Sequence, residues 1–364
     1  MTSSLSLGRY AGIKVQIHWT FWFLILFIVI LVYSQEGTLS DVVWSTGFIL
    51  ALFVCVVLHE FGHALTARSY GIGTRSITLL PIGGVASLKE VPEDPRAEFM
   101  VAIAGPAVNL VIALILYLFV PVETFLEKDP ETLQEELTGI TANNFMFYLF
   151  AANVALVLFN MLPAFPLDGG RVLRALLSIR MGRVRATQTA AALGKFLALT
   201  FFLIGIFYNL ILALIAVFIY FGAESENVMV MQLNLLKGYV VRDAMITRFT
   251  VIRPDQTLND VIDNILMGTD RNFVVADDYG VRGILLMDDL TQSIQAKGRS
   301  APVSQVMDTN FKTLNPFDPL TKAYRELRSG SKNFFPVLEG NKLVGVIDID
   351  NVNEFLRFRA SLDY

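Results

Sequence analysis

The sequence predicts a polytopic α-helical membrane protein of about six transmembrane helices, with a short membrane-associated β-hairpin and a C-terminal α/β domain. Three observations predict it. The 364-residue chain is 54% hydrophobic with a mean hydropathy of +0.54, too apolar for a soluble protein. Its apolar residues gather into long runs before Phe221. Beyond Phe221 charges become frequent, the runs shorten and an internal repeat begins.

The runs justify the spans in order. Ile17–Tyr33 is long enough to cross and lacks a small-residue cleavage site, so it reads as a helix and not as a removed signal. Val43–Ala67, Phe99–Val120 and Phe145–Leu162 follow. The last pair, Ala190–Phe207 and Leu210–Phe221, is short and reads as tilted or partly re-entrant. Arg9 and Lys14 precede the first span, and Glu36 and Asp41 follow it. Arg68, Arg75, Lys89 and Arg96 follow the second. Acidic residues from Glu123 to Glu136 follow the third, and Arg171, Arg174, Arg180, Arg183, Arg185 and Lys195 follow the fourth. Basic loops alternate with acidic ones, so the positive-inside rule predicts both termini cytoplasmic, and the protein is expected in the lipid bilayer of the plasma membrane. The net charge of -4 gives no case for nucleic acid.

His59-Glu60-Phe61-Gly62-His63 lies in the second run and uses two of the three histidines in the chain. A helix sets His59 and His63 one turn apart on one face, where two imidazoles can grip one metal ion. Glu60 stands beside them as a base toward a water held there. Ionisable groups at membrane depth are costly unless they work. His63 is about 8 Å along the axis from Arg68, which sets the site near the cytoplasmic face. Cys55, one turn before His59, reads as a small buried filler and less readily as a soft ligand.

A third ligand is needed, and Asp168 is the candidate. Pro163 and Pro166 stop the fourth helix, and Gly169 and Gly170 allow a tight turn. A carboxylate at such a broken end can bend back toward the histidines, or serve an ordinary Asp-Gly turn. Two histidines and one carboxylate leave a fourth position open, as a catalytic zinc site requires. In Gly105-Pro106-Ala107-Val108-Asn109, Gly105 permits close helix approach. Asn109 reads either as a donor to a developing oxyanion or as an interhelical hydrogen bond. Ser76–Pro81 and Val85–Leu88 flank Ile82-Gly83-Gly84 as a hairpin, either a plain connector or an edge strand for an extended substrate backbone.

Taken together, His59-Glu60-Phe61-Gly62-His63, Gly105-Pro106-Ala107-Val108-Asn109 and Pro163-Ala-Phe-Pro-Leu-Asp168-Gly169 resemble the site-2 protease family of intramembrane zinc metalloproteases. The resemblance covers about the first 220 residues. It implies one zinc per chain on His59, His63 and Asp168, water activation by Glu60, and assistance to catalysis from Asn109. It also implies cleavage of transmembrane segments of membrane proteins. Ile17-His18-Trp19 is similar to the usual opening of that family and gives His18 no role.

In the last third, Met245 and Met307, Pro254 and Pro316, Leu258 and Leu320, and Gly283 and Gly345 each stand 62 residues apart. Each copy reads as a turn, an amphipathic helix and a strand pair. The helices are Leu258–Met267 and Leu320–Leu327. The strand pairs are Phe273–Ala276 with Gly283–Met287, and Phe335–Leu338 with Leu343–Asp348. This resembles a tandem pair of CBS domains, which pack together and often bind adenine nucleotides. The ribose-side positions, ordinarily Thr or Ser and then Asp, are Leu286 and Asp289 in one copy and Asp348 and Asn351 in the other, so both copies depart from the pattern. The resemblance implies either a regulatory nucleotide site or a structural module that makes a homodimer. The expected domains are 1–223 in the membrane, 224–237 as linker, and CBS copies at 238–300 and 301–364. A CBS-gated metal-ion transporter is the rival reading, weakened because the polar groups cluster at one depth.

Overall fold

The computed structural model describes residues 4–81, 83–88, 92–120, 139–268, 270–330 and 332–362. The chain divides into two compact units, Met1–Val228 and Met229–Tyr364.

The first unit opens on strands that the sequence reading missed. Alternation in Ile-Lys-Val-Gln-Ile-His suits a half-buried strand. Accordingly β1 (Ser4–Tyr10) pairs antiparallel with β2 (Ile13–His18) across Ala11-Gly12. Both turn residues have positive φ, 49° and 83°, as a tight hairpin requires. The first span is therefore shorter than expected: Ile17 belongs to β2, and α1 covers Phe21–Ser34. A capping box between Thr38 and Asp41 starts α2 (Leu39–Ser69). The expected hairpin follows as β3 (Thr74–Leu80) and β4 (Gly83–Leu88). It is half of a larger sheet, because β3 also pairs parallel with β2. The order β1-β2-β3-β4 leaves β4 at an edge. Ile13, Val15, Ile77 and Leu79 bury the inner face.

Asp94 caps α3 (Pro95–Tyr117), with Pro95 in the first turn, where its missing N–H costs nothing. Then come α4 (Phe145–Asn160), α5 (Asp168–Met181), α6 (Arg183–Tyr208) and α7 (Leu210–Leu235). Among the described residues, α2, α3, α6 and α7 are long and apolar enough to cross a membrane, whereas α1 and α4 are shorter apolar helices. Six apolar helices thus answer the six runs, but the lengths differ from expectation. The last pair, read as short, has 26 residues in each helix. Helical hydrogen bonding continues past the apolar runs into polar sequence at Arg183–Thr189 and Glu224–Asn234. The stretch 224–237, expected as a linker, is accordingly helical through Leu235. Gly205 lets α6 and α7 approach, since a Cβ there would lie 2.4 Å from the Ala213 nitrogen. The acidic segment from Glu123 to Glu136 lies outside the described residues.

The second unit repeats one pattern. Its first copy has β5 (Val251–Ile252), α8 (Leu258–Met267), β6 (Phe273–Asp277), β7 (Gly280–Leu285) and α9 (Met287–Lys297). Its second has α10 (Leu320–Ser329), β8 (Phe334–Glu339), β9 (Lys342–Asp348) and α11 (Ile349–Leu362). Leu314, bridging parallel to Val337, stands where β5 stands in the first copy. Each copy buries its own core, Ile252, Leu258, Phe273 and Leu285 in one and Leu320, Tyr324, Val337 and Ile347 in the other.

The repeated methionines and glycines cross over between copies. Met307, opening the second copy, packs on Gly283 of the first, and Met245 packs on Gly345. Backbone bridges Ile284↔Asp308 and Ile246↔Val346 run alongside. A Cβ on Gly283 would lie 2.9 Å from the Asp308 carbonyl oxygen, and one on Gly345 would lie 3.0 Å from that of Ile246. Gly283→Ala and Gly345→Ala are therefore each expected to destabilise this unit by about 1–3 kcal/mol through overpacking. Denaturant unfolding of the purified protein, followed by circular dichroism, checks this; unchanged midpoints in both would refute it.

Candidate metal centre

The second and third helices, α2 and α3, carry most of the centre. α2 presents His59 and His63 on one face, with rings 4.7 Å apart and nearly perpendicular. α3 crosses it closely because Gly62 and Gly105 have no side chains: a Cβ on Gly62 would lie 2.7 Å from the Ala104 carbonyl oxygen. A Cβ on Gly105 would sit 2.2 Å from Nε2 of His63 and 2.6 Å from Nε2 of His59. Gly105 thus does more than admit a neighbouring helix, for it leaves open the space that both rings face. Asp168 arrives on the first turn of α5, after the helix break at Pro163 and Pro166. Gly169 and Gly170 fit it there, since a Cβ on either would meet backbone atoms of residues 161–165 at 2.3–2.9 Å.

These three side chains converge. Nε2 of His59 and Nε2 of His63 are 3.1 Å apart, and each is 3.2 Å from Oδ2 of Asp168. All three residues are buried. Among the described residues they form the one His, Cys, Asp or Glu group able to hold a metal ion. Cys55 is buried among Leu116 and Leu149 and is no member of it. His18 stays local, with Nδ1 2.7 Å from Oγ1 of Thr20.

The proton arrangement follows from the partners behind the rings. Nδ1 of His63 lies 2.7 Å from the Val101 carbonyl oxygen, which can only accept, so Nδ1 carries the proton. The His59 tautomer is set by a longer chain. The Leu149 carbonyl accepts from Nδ2 of Asn153 at 2.8 Å, and Oδ1 of Asn153 accepts from Nδ2 of Asn109 at 2.8 Å. Oδ1 of Asn109 is thereby turned toward His59, whose Nδ1 donates to it at 2.5 Å. Both Nε2 atoms are then bare lone pairs facing each other and a carboxylate. A metal ion held between them would join all three. The separations are close to the ~3.3 Å expected between tetrahedral ligands placed roughly 2.0–2.1 Å from zinc.

Asn109, expected as an oxyanion donor or an interhelical hydrogen bond, is fully buried behind His59, its oxygen held by the ring and its nitrogen directed to Asn153. Both are interhelical hydrogen bonds, to α2 and α4, and the first orients the His59 ring. Asn153 and the Val101 carbonyl were missed. An asparagine in the apolar run of α4 was a signal for the first, whereas a backbone carbonyl leaves none in the sequence.

Glu60 points toward the sheet. Its Oε2 accepts from the Ala86 N–H of β4 at 3.0 Å, and Gly84 passes so close that a Cβ there would lie 2.7 Å from Cγ of Glu60. In the second unit, Asp348 and Asn351 are mutual caps: the Asp348 N–H donates to Oδ1 of Asn351 at 3.1 Å, and the Asn351 N–H to Oδ1 of Asp348 at 2.8 Å. Burial pushes the Asp348 carboxyl above its ordinary range.

Comparison with known proteins agrees with this geometry. Peptidase family M50 matches residues 47–203, and the CBS domain family matches residues 241–296 and 303–357. Zinc metalloprotease MJ0392 of Methanocaldococcus jannaschii is 33% identical over 350 residues, covering 95% of this chain and 94% of its own. The chain belongs to peptidase family M50. It is a membrane-embedded zinc metalloprotease with a C-terminal CBS pair, and the transporter reading gives way. Stage IV sporulation protein FB of Bacillus subtilis is 30% identical over 131 residues, which cover 36% of this chain and 40% of that protein. A solved structure, the site-2 protease from Methanocaldococcus jannaschii, is 36% identical and covers 62% of this chain and 95% of its own, with a TM-score of 0.45.

The space at Gly105 yields a direct prediction. Gly105→Ala sets a methyl where both Nε2 atoms face, so the purified variant should lose its zinc. Elemental mass spectrometry reads the metal content, and wild-type loading would contradict the site drawn here.

Proposed function

We propose that the protein is an endopeptidase that hydrolyses peptide bonds within transmembrane segments of other membrane proteins. In this reading it sits in the plasma membrane with both termini cytoplasmic, and His59, His63 and Asp168 hold one zinc. The observation that carries the reading is the meeting of two imidazole nitrogens and a carboxylate oxygen at 3.1–3.2 Å in a buried site. Zinc, when bound, supplies Lewis-acid polarisation of the scissile carbonyl and makes water a stronger acid.

The remaining work falls to the residues of this chain. Glu60, next to His59 on α2, takes the proton from the attacking water and delivers it to the leaving amine. Asn109 and the Val101 carbonyl keep the two Nε2 lone pairs aimed inward. A substrate helix satisfies its own backbone groups and must unwind before a carbonyl is exposed. The free edge of β4, beside Glu60, suits the capture of an extended backbone and would replace the hydrogen bonds lost. Support for an adenine nucleotide at the CBS pair is weaker, because Asp348 and Asn351 are engaged with each other.

Two variants at the centre divide its roles. His63→Ala should lose zinc and activity together. Glu60→Gln should keep zinc while cleavage of a transmembrane substrate falls by about 10²–10⁴-fold, since an amide cannot take the proton. Wild-type cleavage by Glu60→Gln would end the assignment of Glu60 as base.

The edge strand is tested separately. Ser87 pairs with Ser76 across β3, whereas the Ala86 N–H is directed outward to Glu60. By antiparallel alternation, a proline at 87 would strike the β3 ladder, while one at 86 strikes the free edge. Ala86→Pro should raise KM for substrate with zinc content unchanged. An unaltered KM would leave the hairpin a connector.

A further inference from the structure

A buried charged cluster that catalysis does not use is centred on α5, six residues after Asp168. Arg174, on α5 with Asp168, has no exposed surface. Its Nε donates to Oε1 of Glu98 on α3 at 2.8 Å, and Nη2 donates to the same oxygen. Its Nη1 donates to Oε1 of Glu226 on α7. Glu98 is buried as well, and Arg183 on α6 stands 3.4 Å from its other oxygen. The guanidinium also lies over the ring of Phe165, 4.9 Å from its centroid.

Phe165 belongs to the turn that delivers Asp168, three residues ahead of it. It is buried against Ala190 and Ala191 of α6 and Ala223 of α7. The next residue, Pro166, fills the space at Gly222, where a Cβ would lie 2.5 Å from Cδ of the proline. So α7 backs the turn at Gly222 and, one helical turn later, holds Arg174 through Glu226. The same helix runs on through Met229 into the unit that carries the CBS pair.

Stability alone explains this cluster poorly. Burying a guanidinium with two carboxylates is costly, and an apolar replacement of similar volume is often neutral or better. A planar fork reaching two helices and an aromatic face does supply one fixed orientation. We propose that Arg174 is a positioning residue for the metal centre: it fixes the turn and the first part of α5 so that Asp168 meets His59 and His63. Glu226 extends that control to α7. This rests on the zinc site proposed above.

Zinc affinity of the purified full-length protein, measured by competition with a chromogenic chelator, is the readout. Arg174→Gln should bind zinc at least about tenfold more weakly, the low end for partners that orient ligands. Arg174→Lys, which keeps the charge without the fork, should fall between it and wild type. Cleavage by Arg174→Gln should recover as free zinc is raised, with a zinc-free circular-dichroism spectrum and melting point like those of wild type showing that the variant is folded before zinc is added. If Arg174→Gln does not fold, Glu226→Gln removes one of the two carboxylates at the less buried end and should weaken zinc in the same direction. Wild-type zinc affinity in whichever of Arg174→Gln or Glu226→Gln folds overturns the proposal. A wild-type protein that binds no zinc would instead remove the underlying site.

Discussion

The convergence of two imidazole nitrogens and a carboxylate oxygen is the constraint around which the first unit is arranged. A metal ion held between them would join all three. Holding them there means tolerating polar groups on helices otherwise suited to lipid, where an unmatched one is expensive. Each polar atom behind the centre is accordingly matched. The relay from Leu149 through Asn153 and Asn109 ends on His59, and the Val101 carbonyl serves His63. Close approach follows from the same need. Gly62 and Gly105 bring α3 against α2, and Gly169 and Gly170 tuck the start of α5 beneath the end of α4.

Much of this was legible because the chemistry demands particular residues at fixed spacing. His59 and His63 could be paired from helical period alone, and Asp168 from the prolines and glycines that break the chain around it. The repeat of Met245/Met307 and Gly283/Gly345 marked the second unit at its true packing points, although their exchange between copies requires three dimensions. What escaped was masked or distant. The alternation of Ile13–His18 runs directly into the apolar run of α1, so a strand was absorbed into a helix. Its parallel pairing with β3 joins residues 62 apart. Asn109 was seen, but not which of its ends faces a histidine, since that depends on Asn153. Arg174 reads in the sequence as one basic residue among several after the fourth span, and only its meeting with Glu98 and Glu226 makes it unusual.

Glu60 joins α2 to the sheet. A single backbone N–H, that of Ala86 on β4, donates to its Oε2. That N–H belongs to a free strand edge, the sort of edge proteins ordinarily cover. Here the base itself covers it. Under the proposed function, an extended backbone laid along β4 would compete with Glu60 for the Ala86 N–H. Gly84 permits that proximity, because any side chain there would displace the base.

The same reasoning separates the two kinds of buried polarity in this chain. The asparagine relay is neutral, short and directed at one imidazole, and its value lies in choosing a tautomer. The arginine cluster is charged, spans α3, α5 and α7, and touches no ligand directly. The relay also joins three helices, α4, α3 and α2, but through single hydrogen bonds that end on one ring. A guanidinium with donors on opposite sides can lock two helices and a turn at once. The ligand on the most irregular backbone, Asp168, is the one that needs such a lock. The histidines, by contrast, are positioned by the regular geometry of the helix that carries them.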